Sequence, residues 1–223
     1  MDMREPAART LRATARTTRR GEERRKRLLR AADTLLLTRE VAELTYASVC
    51  VTAKVPAGSA RFFYPDLDSL LRALLRDLGE RHDLAIMRPL RRPDVASWRT
   101  LIECLIDRSA RFQRANPVFA KLSIGGQTPP HLKRIDRDAD KARCKFVLSA
   151  LEEHFVLPRT PDRERALYFI IEVVDLAFTL SMSESGSITP EWLQYAKLAA
   201  TSLCSRFFGE SLEPRPSVGR LPG

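Results

Sequence analysis

Apolar residues recur at intervals of three and four along most of the chain, which is the spacing of amphipathic helices. They fall on one helical face from Arg24 to about Arg39, and again from Leu67 to about Met87. Beyond residue 90, helical segments are predicted near 94–115, 117–124, 131–155, 162–184 and 190–208, with Pro- and Gly-containing breaks between them. The pattern predicts an all-α protein.

Two short helices are predicted between the first two long runs. Thr45 is a good N-cap for one of them. The other lies in the stretch KVPAGSARFFY, where Pro56 suits a first helical turn and Gly58 lacks a Cβ, so that another backbone can approach closely. Two short helices joined by a tight turn form a helix-turn-helix pattern. The second helix, roughly Pro56–Phe63, is the candidate for reading the DNA major groove.

The net charge of +10 is concentrated at the N-terminus. Residues 1–30 carry eleven Lys or Arg against four acidic residues, a net charge of +7. We expect residues 1–23 to be a disordered basic arm that binds nucleic acid. A merely solvated tail and an Arg-rich transit peptide are the alternatives for this segment.

No catalytic, metal or membrane signature is found in the sequence. The four cysteines are scattered without a CxxC pair and the three histidines have no neighbouring ligand at a usable spacing, which predicts reduced buried thiols, no bound metal and no cofactor. No nucleophile–base arrangement or phosphate loop is evident, so we do not expect an enzyme. No uncharged apolar stretch is long enough to span a membrane. A cytoplasmic protein is expected.

Residues 25–75 resemble the DNA-binding domain of the TetR/AcrR family of bacterial transcriptional regulators. The residues that fall on family positions are Leu28, Leu29, Ala31, Ala32, Thr45, Val49, Val55, Gly58, Ser59, Tyr64 and Leu70. The chain departs from the family pattern where Lys54 replaces a turn glycine and Pro56 replaces a capping serine. Arg61 and Leu67 take the places of a tyrosine and a lysine that commonly touch phosphate in the family.

The resemblance implies a helix-turn-helix DNA-binding domain over residues 24–70, a helical ligand-binding and dimerisation domain over 71–209, and a flexible tail over 210–223. It implies contact with double-stranded DNA through Thr45, Tyr46, Lys54, Ala57, Gly58, Ser59, Arg61, Phe62 and Phe63. An eight-residue helix cannot bury three consecutive aromatic rings. We therefore expect Tyr64 and one Phe to anchor it, and at least one ring to be exposed.

The same resemblance implies a homodimeric repressor that binds a palindromic operator and is released by a small molecule of unknown identity. The residues expected to line the ligand site are Trp98, Leu105, Phe112, Phe119, Phe146, Leu151, Tyr168 and Ile171. The residues expected at the dimer interface are Leu167, Ile170, Val174, Phe178, Leu193, Ala196, Ala200, Leu203 and Phe207. Both sets could equally be intramolecular core.

A second hypothesis is a helical protein-interaction module whose DNA-reading helix has decayed. The two hypotheses differ in their salt dependence. A regulator that touches several phosphates loses affinity for a defined sequence steeply as salt rises, whereas a decayed module binds DNA weakly and without sequence preference.

Overall fold

The computed structural model describes residues 5–125, 128–158 and 162–215, with the side chains of residues 5–18, 92 and 136 excepted. Within these residues the regular structure is helical, and one isolated antiparallel bridge joins Phe155 to Pro214. The helices are α1 (Glu5–Leu36), α2 (Tyr46–Ala53), α3 (Ala57–Phe63), α4 (Leu67–Ile86), α5 (Trp98–Ala115), α6 (Pro117–Ser123), α7 (Pro130–His154), α8 (Arg163–Ser185) and α9 (Pro190–Phe208). Short 3₁₀ turns lie at Val41–Glu43 and Arg92–Val95. The predicted all-α fold class is confirmed.

The chain divides into two compact units, Met1–Leu74 and Leu75–Gly223. Helix α4 begins in the first unit and ends in the second. The domain limits drawn from the sequence, 24–70 and 71–209, stay predictions, since they rest on the resemblance.

The first helix is longer than the sequence analysis predicts. It begins at Glu5 and runs without interruption to Leu36, so residues 5–23 are helical rather than a disordered arm. The segment is rich in Ala, Arg and Glu, which are good helix formers, and Pro6 lies in the first turn, where a missing N–H costs nothing. Residues 1–4 of the predicted arm lie outside the described residues.

The N-terminal unit is held together by a small apolar core. Leu28, Ala32 and Leu36 of α1 are fully buried, together with Val49 of α2 and Ala60 of α3. Helix α2 ends at Ala53, and its C-cap residue Lys54 adopts a left-handed backbone conformation (φ 53°, ψ 44°). Glycine favours that conformation, which explains why the family uses it at this turn.

The C-terminal unit has a larger core formed by α5, α7, α8 and α9, with α8 packed along α9. Ser97 caps α5 and Thr189 caps α9, each accepting a hydrogen bond from a backbone N–H of the first turn. Helix α8 is long and apolar enough to cross a membrane by composition alone. Its buried apolar residues are part of this core.

Residues 210–215 of the predicted flexible tail are hydrogen-bonded to the rest of the C-terminal unit. The backbone N–H of Val156 donates to Glu213 O (2.8 Å) and that of Arg215 donates to His154 O (2.8 Å). The Trp98 indole N–H donates to Glu210 O (3.3 Å). This segment is therefore fixed against α5 and the end of α7, while residues 216–223 lie outside the described part of the chain.

Candidate nucleic-acid interface and effector cavity

The short helix α3 is anchored by its buried side. Ala60 is fully buried and Tyr64, directly after the helix, is buried as well. The Tyr46 hydroxyl donates to Tyr64 O over 2.6 Å, which ties the start of α2 to the end of α3. Burial, followed by the nearby Cys50, raises the pKa of Tyr46, so this phenol stays protonated and can donate. Tyr46 is therefore engaged in holding the two helices together.

The opposite side of α3 is open. Ala57, Gly58, Arg61 and Phe62 are exposed, and Ser59 is half-buried. Nothing lies within 4 Å of a Cβ built on Gly58. A seven-residue helix with one fully buried position thus presents most of its side chains outward, as a helix that enters the major groove must do.

The three consecutive aromatic residues separate as the sequence analysis predicts. Phe62 is 85% exposed, Phe63 is half-buried and Tyr64 is buried. The Phe62 and Phe63 rings meet edge to face at 5.3 Å. Phe63 also faces α1, where a Cβ added to Gly21 would lie 3.6 Å from its ring. Phe63 and Tyr64 anchor the helix, and Phe62 is the solvent-exposed ring.

The other predicted DNA contacts lie around this helix. Thr45 is exposed at the N-cap of α2, where its hydroxyl accepts from Ser48 N (3.1 Å). Lys54 is exposed in the turn between α2 and α3. The structure therefore brings all nine predicted residues to α2, α3 and the turn between them, with Tyr46 and Phe63 having internal contacts.

The arginines that flank α3 from α1 were not among the predicted contacts. Arg20, Arg24 and Arg25 line an open groove with Ser59, Phe62 and Phe63. The Arg25 guanidinium lies 5.9 Å above the Tyr64 ring. The high charge of residues 1–30 was the signal for them, but the sequence pattern did not show that Arg20 of the predicted arm and Arg24 and Arg25 of the predicted first helix lie beside α3.

A second feature belongs to the C-terminal unit, where a partly open cavity of about 90 Å³ is lined by residues of α4, α5, α7, α8 and α9. Its wall is mostly apolar, and Leu105 and Ile171 are the two predicted ligand residues that line it. The other predicted ligand residues do not line this cavity: Trp98, Phe119 and Leu151 are buried elsewhere, and Phe112, Phe146 and Tyr168 are half-buried.

The polar edge of this cavity was not predicted. His82 of α4 is buried, and its Nε2 lies 2.9 Å from Ser109 Oγ. Its ring is flanked by Phe112 and Phe119 at 5.2 and 4.9 Å. Burial and then the nearby Arg143 hold the pKa of His82 well below its usual value, so the imidazole is neutral.

Arg143 of α7 completes this edge with a buried ionic network. Its guanidinium pairs with Asp140 and, at 2.7 Å, with Asp83 Oδ1. Two carboxylates surround one guanidinium, which is what a buried charge requires. The cavity therefore offers a large apolar wall with a neutral imidazole, a hydroxyl and an ionic network at one end.

The predicted dimer residues are mostly core residues of a single chain. Seven of the nine are buried within the protomer: Leu167, Ile170, Val174, Phe178, Leu193, Ala196 and Ala200. Leu203 is half-buried and Phe207 is partly exposed. The predicted stripes are thus the faces that α8 and α9 bury inside the protomer, so they cannot be the surface offered to a partner. The intramolecular alternative is the correct one for these seven residues.

The fold and site define a class of protein: an all-α chain with a helix-turn-helix head and a helical C-terminal unit. Residues 96–207 match the family model described as "Tetracyclin repressor-like, C-terminal domain". The chain therefore belongs to the TetR family, whose members are DNA-binding transcriptional regulators rather than enzymes, as the sequence analysis predicts.

Solved structures share this fold. A TetR-family regulator from Streptomyces coelicolor superposes with a TM-score of 0.68 at 18% identity, over 83% of this chain and 99% of the other. A TetR regulator from Rhodococcus sp. RHA1 superposes with a TM-score of 0.60 at 18% identity, over 82% of this chain and 96% of the other. The structure of RolR in complex with resorcinol superposes with a TM-score of 0.61 at 18% identity, over 86% of this chain and 90% of the other. No curated protein matches the sequence significantly.

Proposed function

We propose that the protein is a ligand-responsive repressor that binds a palindromic operator as a homodimer and is released from it by a small molecule. The observation that carries the DNA-reading part is the division of α3 into a buried anchor, Ala60 with Tyr64, and an open face with Gly58, Arg61 and Phe62. A decayed reading helix would have no reason to keep this division. The protein is expected to act in the cytoplasm.

The open face of α3 carries groups suited to base and backbone contacts. The Arg61 guanidinium can donate two hydrogen bonds to a guanine edge, or bind a phosphate. The Phe62 ring can contact a sugar or a thymine methyl group. Gly58 and Ala57 leave room for the DNA backbone beside the helix start. Lys54 and Thr45 stand beside them and can bind phosphate.

A dimer is supported by the outer faces of α8 and α9. Large apolar side chains are exposed there in the single chain: Phe169, Leu176, Leu180, Tyr195 and Leu198. Leu198 is 64% and Leu176 is 56% exposed. A surface of this kind on adjacent helices marks an interface. A twofold copy would cover it and give two reading helices the spacing of successive major grooves, about 34–36 Å.

The effector is expected in the cavity beside His82. Its apolar wall and compact size favour a small, ring-sized molecule, and Ser109 with the His82 imidazole can orient a hydroxyl group. The RolR structure was determined with resorcinol, a compound of this type. Because α4 starts in the N-terminal unit and carries His82 and Ile86 at the cavity, a ligand that favours a different position of α4 would shift the DNA-binding equilibrium.

Selection of bound sequences from a random duplex pool tests the DNA-reading proposal. We expect a palindrome whose half-sites lie about one helical turn apart. Arg61→Ala should weaken binding to this operator by about 1–3 kcal/mol and relax the preference at one base position of each half-site. Lys145→Ala, an exposed cation of α7, is the matched control and should bind as the unchanged protein does. If no sequence is enriched, the interaction-module hypothesis is favoured.

Sedimentation equilibrium tests the dimer surface. Leu176→Glu with Leu198→Glu should give a folded monomer with weakened operator binding, because each change places a charge in the proposed interface. Ala142→Glu with Ser149→Glu is the control, since it adds the same charge at two exposed positions of α7, outside the apolar faces of α8 and α9. A monomeric unchanged protein would refute the dimer. Resorcinol is the first probe for the cavity: it should raise the thermal midpoint and lower operator affinity, and His82→Ala should abolish both effects.

A further inference from the structure

The groove between α1 and α3 combines cations with apolar rings. Arg20, Arg24 and Arg25 line it from α1 together with one acidic residue, Glu22, and Phe62 and Phe63 line it from α3. It is wide and open to solvent, with a volume of about 710 Å³. All three arginines are exposed, and among the described residues none of them forms an ion pair. The charges are therefore available to a ligand.

The shape of the groove suits an extended polyanion. It is bounded on one side by α1, which contributes Arg20 and Arg24 one turn apart, and on the other side by two rings at right angles. Guanidinium groups bind phosphate oxygens in pairs of hydrogen bonds. Apolar ring faces fit a deoxyribose. A sugar-phosphate strand offers both partners in alternation, whereas an acidic peptide offers only the charge.

The position of the groove agrees with this ligand. Ser59 and Phe62 belong both to the groove and to the outward side of α3, so a strand bound in the groove lies directly beside the bases that α3 reads. Helix α1 continues away from the groove to Glu5. Its 32 residues make a helix of about 48 Å, and its sequence before Arg19 includes Arg9, Arg12 and Arg16.

The groove also offers a substitute for a phosphate contact that this chain lacks at the start of α4. In the family pattern a lysine at the position of Leu67 commonly touches phosphate, and this chain has no cation there. Leu67 is half-buried at the first position of α4. Cations on α1 can supply phosphate contacts of the same kind from a neighbouring element.

We propose that this basic–aromatic groove, formed by Arg20, Arg24, Phe62 and Phe63, binds one sugar-phosphate strand of the operator without regard to its sequence. It is a second DNA-binding element beside the reading helix, presented by a helix rather than by a disordered arm. This inference rests on the proposed DNA-binding function. In this arrangement the arginines of α1 add affinity for DNA, and α3 determines the sequence preference.

The test compares two double variants of the full chain on the selected operator and on a scrambled duplex, with binding measured between about 50 and 200 mM salt. Arg20→Ala with Arg24→Ala removes two phosphate contacts per protomer and four per dimer. The slope of log affinity against log salt should become shallower by about 3.6, which amounts to about a 150-fold difference across this salt range. Arg134→Ala with Lys145→Ala, two exposed cations of α7, has the same net charge and should keep the original slope.

The Arg20/Arg24 variant should lose the same amount of binding affinity on the operator and on the scrambled duplex. The sequence that it selects should be unchanged. Phe62→Ser should weaken binding to the scrambled duplex as well as to the operator, without altering the salt slope, because the ring contacts a sugar in either duplex. An unchanged salt slope, or a loss confined to the operator, would overturn the inference even though the protein binds DNA. Retained DNA binding with lost binding to polyglutamate would assign the groove to an acidic peptide instead. If the unchanged protein selects no sequence at all, the proposed function itself fails, which is a separate result.

Discussion

The end of helix α4 depends on one arginine of α5, and its removal makes a sharp prediction. Arg108 donates from Nη1 to Ile86 O (3.0 Å) and Arg88 O (2.6 Å). Its Nη2 donates to Pro89 O (3.3 Å) and lies 3.2 Å from Asp94 Oδ2. These carbonyls belong to the last residue of α4 and to the segment directly after it, where no intrahelical donor remains. A cation at this end is also favoured by the helix dipole.

The magnitude follows from the number and setting of these bonds. Hydrogen bonds from a charged donor contribute about 1.5–3 kcal/mol each when the partner is left unsatisfied. The Arg108 side chain is 13% exposed, but the carbonyls of residues 88 and 89 lie in an exposed segment, so water can replace part of the loss. With about 1 kcal/mol for each of three carbonyls, Arg108→Ala should lower the free energy of unfolding by about 2–3 kcal/mol.

Urea unfolding followed by tryptophan fluorescence is the appropriate assay. Both tryptophans, Trp98 and Trp192, belong to the C-terminal unit, so the signal reports the unit that contains Arg108. The midpoint should fall by about 1 M. Arg108→Lys should recover only part of the loss, since an ammonium cannot reach the same set of carbonyls as a planar guanidinium. Arg111→Ala, an exposed arginine one turn further on, should change stability by less than about 0.5 kcal/mol. A loss of that small size in Arg108→Ala would refute the reasoning.

Three further predictions concern other positions. Lys54→Gly should stabilise the N-terminal unit by up to about 1 kcal/mol, because glycine adopts the left-handed conformation without strain. The same change should weaken DNA binding, because a cation is lost. Hydrogen exchange measures the first effect and operator titration measures the second. Tyr46→Phe should destabilise the same unit by about 1 kcal/mol, since Tyr64 O loses its donor; unchanged exchange rates in α2 and α3 would contradict this. The pKa of His82 is lowered in the folded state, so below pH of about 6.5 the unfolded chain takes up a proton that the folded chain does not. Stability should therefore fall with decreasing pH by at most about 1.4 kcal/mol per pH unit, and His82→Gln should flatten this dependence.

Local features of the fold were predictable because they depend on nearby residues. The helix period, the Thr45 cap and the exposed ring at Phe62 follow from spacing, capping chemistry and the small size of α3. The length of α1 was missed for a similar local reason. A high density of positive charge suggested disorder, but helix propensity is also high there and no breaker other than Gly21 follows the first turn.

The cavity and the ionic network could not be predicted, because they depend on tertiary packing. Asp83 and Arg143 are 60 positions apart in the sequence and meet at 2.7 Å. His82 is joined to Ser109 of another helix. Only the packing of α4 against α5 and α7 brings these groups together. A single sequence gives the polarity of each residue but not which helices will be neighbours.

The mistake about the dimer stripes has a physical origin that also supports a partner surface. Helix α8 is apolar on more than one face: Leu167, Ile170 and Phe178 are buried, whereas Phe169, Leu176 and Leu180 are exposed. Periodicity cannot decide which of two apolar faces points inward, and the same composition gives this helix its likeness to a membrane span. Burying one face in the core leaves Phe169, Leu176 and Leu180 exposed. The proposed second copy of the chain would cover them, and it would join two DNA-reading heads whose separate affinities then act together. Disrupting this face should therefore reduce operator affinity far more than the loss of any single phosphate contact.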